Sequence, residues 1–128
     1  MADALFDTTV FIDYYRGDLA ARELIAAAIE REIRASFSAV TAFEVWMGIS
    51  DAEEERDYYA IMRVLEEAPL TASMARMAAE WLRASSPRRS EALFRDALIA
   101  ATAVERNEPL YTRNAPDFRR FQADVRTY

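Results

Sequence analysis

The chain has 128 residues, a size that suits one compact domain with a single buried core, and it is 52% hydrophobic and 30% charged with a formal net charge of −6. It contains no cysteine, no histidine and no lysine, so all sixteen basic residues are arginine. Disulfides, Cys/His zinc sites, cysteine nucleophiles, Ser-His-Asp triads, a P-loop lysine and Schiff-base chemistry are therefore excluded.

Ala4-Leu5-Phe6 reads as a short buried strand ending at Asp7, followed by a helix through Val10 to Arg16 that Gly17 stops. Asp18 is placed to cap a helix over Leu19–Glu32, with Leu24, Ile25, Ala28 and Ile29 on one face. Ala35–Ser38 is a strand candidate, Thr41–Ile49 a helix, and Glu54–Glu67 a helix with Tyr58, Ile61, Met62 and Leu65 as its apolar stripe. Pro69 breaks that helix, and Leu70-Thr71 is a weak strand candidate. Ala72–Ala84 is an Ala/Met-rich helix ended by Ser85-Ser86-Pro87, and the loop Arg88-Arg89-Ser90 follows. Leu93–Arg106 is a helix almost wholly apolar after Asp96, Leu110-Tyr111-Thr112 a strand, Asn114–Phe121 one or two helical turns, and Asp124–Tyr128 a final edge strand. Short apolar strands alternating with helices predict an α/β fold with a parallel sheet. Nothing in the composition divides residues 1–128, so one domain is expected, and no apolar run reaches the roughly 20 residues of a membrane span. The opening Met-Ala-Asp-Ala-Leu lacks the pattern of a secretory signal, which makes a cytoplasmic location the expectation.

With two glycines, Gly17 and Gly48, no Gly-rich phosphate cradle can form, and the remaining catalytic vocabulary is carboxylates, hydroxyls, amides and arginines. Four acids stand out by position. Asp7 ends the first strand, where open α/β sheets place ligands, although an aspartate there also caps the next helix. Glu44 lies in Thr41-Ala42-Phe43-Glu44, which matches a capping box. Asp96 precedes Ala97-Leu98-Ile99-Ala100-Ala101, where a carboxylate is costly to bury unless it is paired or binds metal. Asp117 sits in Asn114-Ala115-Pro116-Asp117-Phe118, as a favourable first-turn charge or as part of a site. Each acid is expected at the start of a helix and hence at one edge of the sheet. Carboxylates so gathered need a compensating cation, and Mg²⁺ or Mn²⁺ suits oxygen ligands. Such an ion would clamp a phosphodiester and activate water.

Four segments carry a resemblance. Leu5 to Gly17 resembles the opening of VapC-type PIN domains; Val40 to Gly48 resembles their second acidic motif, Phe94 to Ala103 their third, and Leu110 to Phe118 their fourth. The motifs run in family order over nearly the whole chain. The resemblance implies a three-layer α/β/α sandwich with a mostly parallel sheet and a Mg²⁺- or Mn²⁺-dependent endoribonuclease that leaves a 3′-hydroxyl and a 5′-phosphate. It further implies the toxin of a type II toxin–antitoxin pair, a homodimer, and inhibition by a small DNA-binding antitoxin. By position, Asp7, Glu44, Asp96 and Asp117 would be the catalytic and metal-site acids. Thr8 or Thr9 would orient Asp7 or a water, and Asn114 and Thr112 would support the Asp117 corner. The segment before Asp96 carries Phe94-Arg95 and lacks the glycine often seen upstream, and the acidic net charge departs from several more basic family members. Asp13, at i+6 from Asp7, is assigned a structural or supporting role.

Arg16 and Arg113 are candidates for substrate phosphates; for Arg88 and Arg89 a solvated role is the expectation. Trp46, Met47, Tyr58, Tyr59, Met62, Met74, Met77 and Trp81 lie at helical spacings that suit core packing, with any exposed excess available to an antitoxin helix or a dimer seam. Two competing readings are an inactive PIN-like binding module that partners an antitoxin, and phosphoryl transfer through an aspartate nucleophile. The second lacks its Asp-x-Asp signature, since two threonines follow Asp7.

Overall fold

The computed structural model describes residues 2–85 and 90–128. The elements are β1 (Ala2–Phe6), α1 (Thr8–Tyr15), α2 (Leu19–Ile29), β2 (Ile33–Ser38), α3 (Ala39–Met47), α4 (Ala52–Met62), β3 (Glu66–Ala68), α5 (Ala72–Ala84), α6 (Glu91–Arg106), β4 (Leu110–Tyr111), α7 (Ala115–Phe118) and β5 (Val125–Arg126). The five strands form one sheet in the order β3-β2-β1-β4-β5, and every pairing is parallel. Leu5 of β1 stands opposite both Ser36 and Leu110, so β1, β2 and β4 end at a common edge.

Side-chain alternation along β1 divides the core into two layers. Ala4 and Phe6 face Phe11 of α1, Ile25 of α2, and Tyr58 and Ile61 of α4. Leu5 faces Met74 and Ala78 of α5, the alanines of α6 and Phe118 of α7. Helices thus cover both faces of a parallel sheet, giving the three-layer α/β/α sandwich. Phe11 anchors the first layer edge-on to Phe6 and Phe37, with ring centroids 6.3 and 5.9 Å away. Ala97, Ala100, Ala101 and Ala103 are fully buried, and their small side chains let α6 lie close to its neighbours.

Several boundaries differ from the sequence expectation. The helix expected over Glu54–Glu67 ends at Met62, and Glu66–Ala68 forms β3 instead, in register with Ser36–Ser38 of β2. Leu70-Thr71 is not a strand; Thr71 caps α5 by accepting from the Met74 amide at 3.2 Å. The cause is tertiary: Glu66 is held by Arg106 at 2.8 Å, and Arg106 also binds Glu108 and Ser36. α2 ends at Ile29, with Arg31 at a φ of 62° turning the chain into β2 two residues early. α3 begins at Ala39 because Ser38, not Thr41, is its cap. α6 begins at Glu91 because Ser90 caps it by accepting from the Leu93 amide at 3.1 Å. Glu44 and Asp96 therefore lie in the second turns of their helices, against the expectation that all four acids start helices. Only Asp7 and Asp117 do so. Among the described residues no helix is long and apolar enough to cross a membrane.

Candidate acidic site at the sheet edge

Asp7 leaves β1 with extended backbone (φ −68°, ψ 162°), and its amide donates to the Tyr111 carbonyl at 3.0 Å, tying it to β4. It stands at the N-cap position of α1, with no side-chain cap hydrogen bond. Instead Oδ2 accepts from the Thr112 hydroxyl at 2.8 Å and the Thr9 hydroxyl at 3.0 Å. Asp7 is only 4% exposed. That burial pushes its pKa above the usual carboxylate value, opposed by the Thr112 and Thr9 hydroxyls and the backbone amides of Thr8 and Thr9.

Glu44 is fixed differently. The Thr8 hydroxyl lies 2.9 Å from Oε1, and Arg95 donates its Nε–H to Oε2 at 3.1 Å. Thr8, Thr41 and Ser38 form a run of hydroxyls behind it, at 3.0 and 3.3 Å. With Ser38 taking the Thr41 amide at 3.0 Å, Glu44 is released from the capping-box role that its sequence suggests.

Asp96 is half-buried, and it reports the others electrostatically. Its pKa is pushed up to about 7 by burial first, then by the negative charges of Asp7, Asp117 and Glu44, with Arg95 opposing. Asp96 and Asp117 also line one cavity of about 230 Å³ with Ser90, Leu93 and Arg120. Three carboxylates from three other segments thus act on Asp96 at this edge. Among the described residues, no three of these four acids are arranged as a ready cage for a metal ion.

The threonines divide the supporting work in a way that the sequence left open. Thr9 holds Asp7 and Thr8 holds Glu44. Thr112 is fully buried and joins Asp7 to Asn114: it donates to Asp7 and accepts from the Asn114 amide at 3.0 Å. Asn114 meets Asp117 through its backbone: the Asp117 amide donates to the Asn114 carbonyl at 3.0 Å, and the Asn114 side chain makes no cap bond.

Of the arginines singled out from sequence, Arg16 shares a cavity of about 200 Å³ with Glu44, Tyr15 and Tyr58. Arg113 is already engaged, with Nη2 on Asp18 at 2.7 Å, Nε 3.7 Å from Asp13, and its guanidinium 4.3 Å above the Tyr128 ring. Tyr128 in turn donates to Asp13 at 2.7 Å, so Asp13 holds this corner together. Arg88 and Arg89 lie outside the described residues. Sequence reasoning missed Arg95 and Arg120 as neighbours of the acids. Arg120 follows Asp117 at a spacing of three and Arg95 adjoins Asp96, the signals that mark them.

The model of the family described as PIN domain matches residues 4–123. No curated protein sequence matches the chain. Among solved structures, a toxin–antitoxin complex from Klebsiella pneumoniae contains a similar chain, 26% identical, covering 97% of this chain and 96% of that one at a TM-score of 0.76. VapBC2 from Rickettsia felis, bound to a DNA fragment from its promoter, matches at 14% identity over 98% of both chains with a TM-score of 0.78. DNA-bound VapBC from Salmonella typhimurium matches at 20% identity over 99% of this chain and 98% of that one, with a TM-score of 0.73. The last two are likenesses of fold.

Proposed function

The chain belongs to the PIN domain family, and from that premise we infer that it is the toxin of a type II toxin–antitoxin pair and a divalent-metal-dependent endoribonuclease. The observation that supports this most is the half-buried Asp96, whose pKa is pushed up to about 7 by burial first and then by the negative charges of Asp7, Asp117 and Glu44. An isolated structural aspartate has no cause to sit among three other carboxylates. The donor set fits Mg²⁺ or Mn²⁺, because it offers hard oxygens and no nitrogen or sulfur ligand. Asp7, Glu44, Asp96 and Asp117 would hold the ion, which supplies Lewis-acid polarisation and charge neutralisation at a phosphodiester. The chain's own side chains then have distinct tasks. Thr112 and Thr9 hold the Asp7 carboxylate at Oδ2, and Thr8 holds Glu44 at Oε1, which limits how far either side chain swings. Arg120, lining the cavity with Asp96 and Asp117, and Arg16, beside Glu44, are placed to meet RNA phosphates.

Replacing Asp7 or Asp96 by Asn lowers RNA cleavage under fixed Mg²⁺ by more than about 100-fold, as expected for loss of a group that bears on transition-state charge. Wild-type cleavage by either folded variant would end this assignment. The reading also places the protein in the cytoplasm, as a homodimer inhibited by a small DNA-binding antitoxin. A second reading, a PIN-like binding module without turnover, is favoured by Glu44 already having a cationic partner in Arg95. Calorimetric titration with Mn²⁺ separates the two, since a binding module shows no carboxylate-dependent metal response.

A further inference from the structure

Both oxygens of Glu44 are engaged, Oε1 by the Thr8 hydroxyl and Oε2 by Nε of Arg95. Arg95 comes from a different helix, 51 positions along the chain, so this is a tertiary contact rather than a helical neighbour pair. It is a single Nε–H contact rather than a two-pronged fork, and the side chains retain 31% and 23% of their exposure. A one-pronged, partly hydrated pair is held modestly, within reach of a competing cation. Arg95 also has a second acceptor within reach, since its Nη1 lies 3.8 Å from Oε2 of Glu91, one helical turn back and almost fully exposed.

We propose that Arg95 is a built-in counter-cation for the acidic site, one that holds Glu44 in the metal-free protein and must release it towards Glu91 before Glu44 can turn an oxygen to a divalent cation. This rests on the metal-dependent reading above and adds a residue-level control to it. Four carboxylates without any cation repel one another, and Arg95 supplies one positive charge where that repulsion acts. Release costs little because Glu91 replaces Glu44 as the partner. Held on Glu44, Arg95 keeps that carboxylate out of a ready ligand set. With Arg95 released, its guanidinium stands at the rim of the site, free to meet an anionic oxygen.

The test is a pair of measurements on the whole protein. In ¹H–¹⁵N spectra of the labelled, metal-free protein, the Arg95 Nε–H (assigned by its disappearance in R95K) is protected from exchange with water. On titration with Mg²⁺ that protection is lost in step with the bound fraction. By calorimetry, R95Q binds Mn²⁺ about fivefold more tightly than wild type, because the competitor for Glu44 is gone. Cation binding that leaves the Arg95 Nε–H protected overturns the latch while sparing the proposed function, as does unchanged Mn²⁺ affinity in a folded R95Q. No cation binding by either protein sinks the metal-dependent reading and the latch with it.

Discussion

Asp96 shows how one carboxyl serves function at the expense of stability. An unfolded aspartate titrates near 3.9, whereas Asp96 in the fold titrates at about 7. Between those values the folded state binds more protons than the unfolded state, so stability of the metal-free protein falls as pH rises through that window. Below about pH 4 Asp96 imposes no penalty, and above about pH 7 the penalty is complete. D96N removes it, so the metal-free variant melts about 3–6 °C higher than wild type at pH 8, and the two converge near pH 4. That gain corresponds to about 1–2 kcal/mol, well under the full shift because the carboxyl is only half-buried and water screens it. Paired melting curves across pH check this, and a D96N protein less stable than wild type at pH 8 would contradict it. Arg95 and Thr112 show the complementary point at this scale. Neither draws notice from its type alone, yet one holds Glu44 and the other holds Asp7.

At the scale of elements, helix starts decide which acids face the site. Ser38 and Ser90 cap α3 and α6 so that both begin two positions ahead of the expected start, which moves Glu44 and Asp96 into second turns. Ser38 also ends the hydroxyl run through Thr41 to Thr8 and Glu44. Ser38→Ala therefore lowers stability by about 1 kcal/mol through the lost cap. It also weakens Mn²⁺ binding, because the Thr41–Thr8 run behind Glu44 loses its end. Chemical denaturation and calorimetry of the same variant test the two parts; lost stability with unaltered metal affinity would confine Ser38 to capping. The elements legible in sequence were those with a strong local signature: the strand before Asp7, the amphipathic helix around Tyr58, Ile61 and Met62, and the long apolar helix after Asp96. β3 was not legible, since Glu66-Glu67-Ala68 has no strand pattern and is ordered by Ser36 beside it and by Arg106 from α6.

On the scale of the whole molecule, the exposed apolar side chains are unevenly spread. Phe43, Trp46 and Met47 of α3 are 58%, 39% and 63% exposed, and Leu70 and Phe94 are each 40% exposed. Phe43, Leu70 and Phe94 share one apolar groove with Val40, Leu98 and Arg95. Such a groove supports the proposed homodimer, because an apolar patch of this kind is costly to leave in water. F43E puts a charge there and yields a monomer by light scattering with secondary structure intact; an unchanged molar mass would remove this face from the interface. By itself the sequence determined the chemical alphabet and the α/β class, because composition and hydrophobic period are properties of the chain read locally. Only the tertiary structure decided that Glu44 is not a cap, that Thr112 serves Asp7, and that Arg95 pairs with Glu44. The last two depend on side chains 105 or 51 positions apart meeting at one sheet edge, and no local pattern encodes such a meeting.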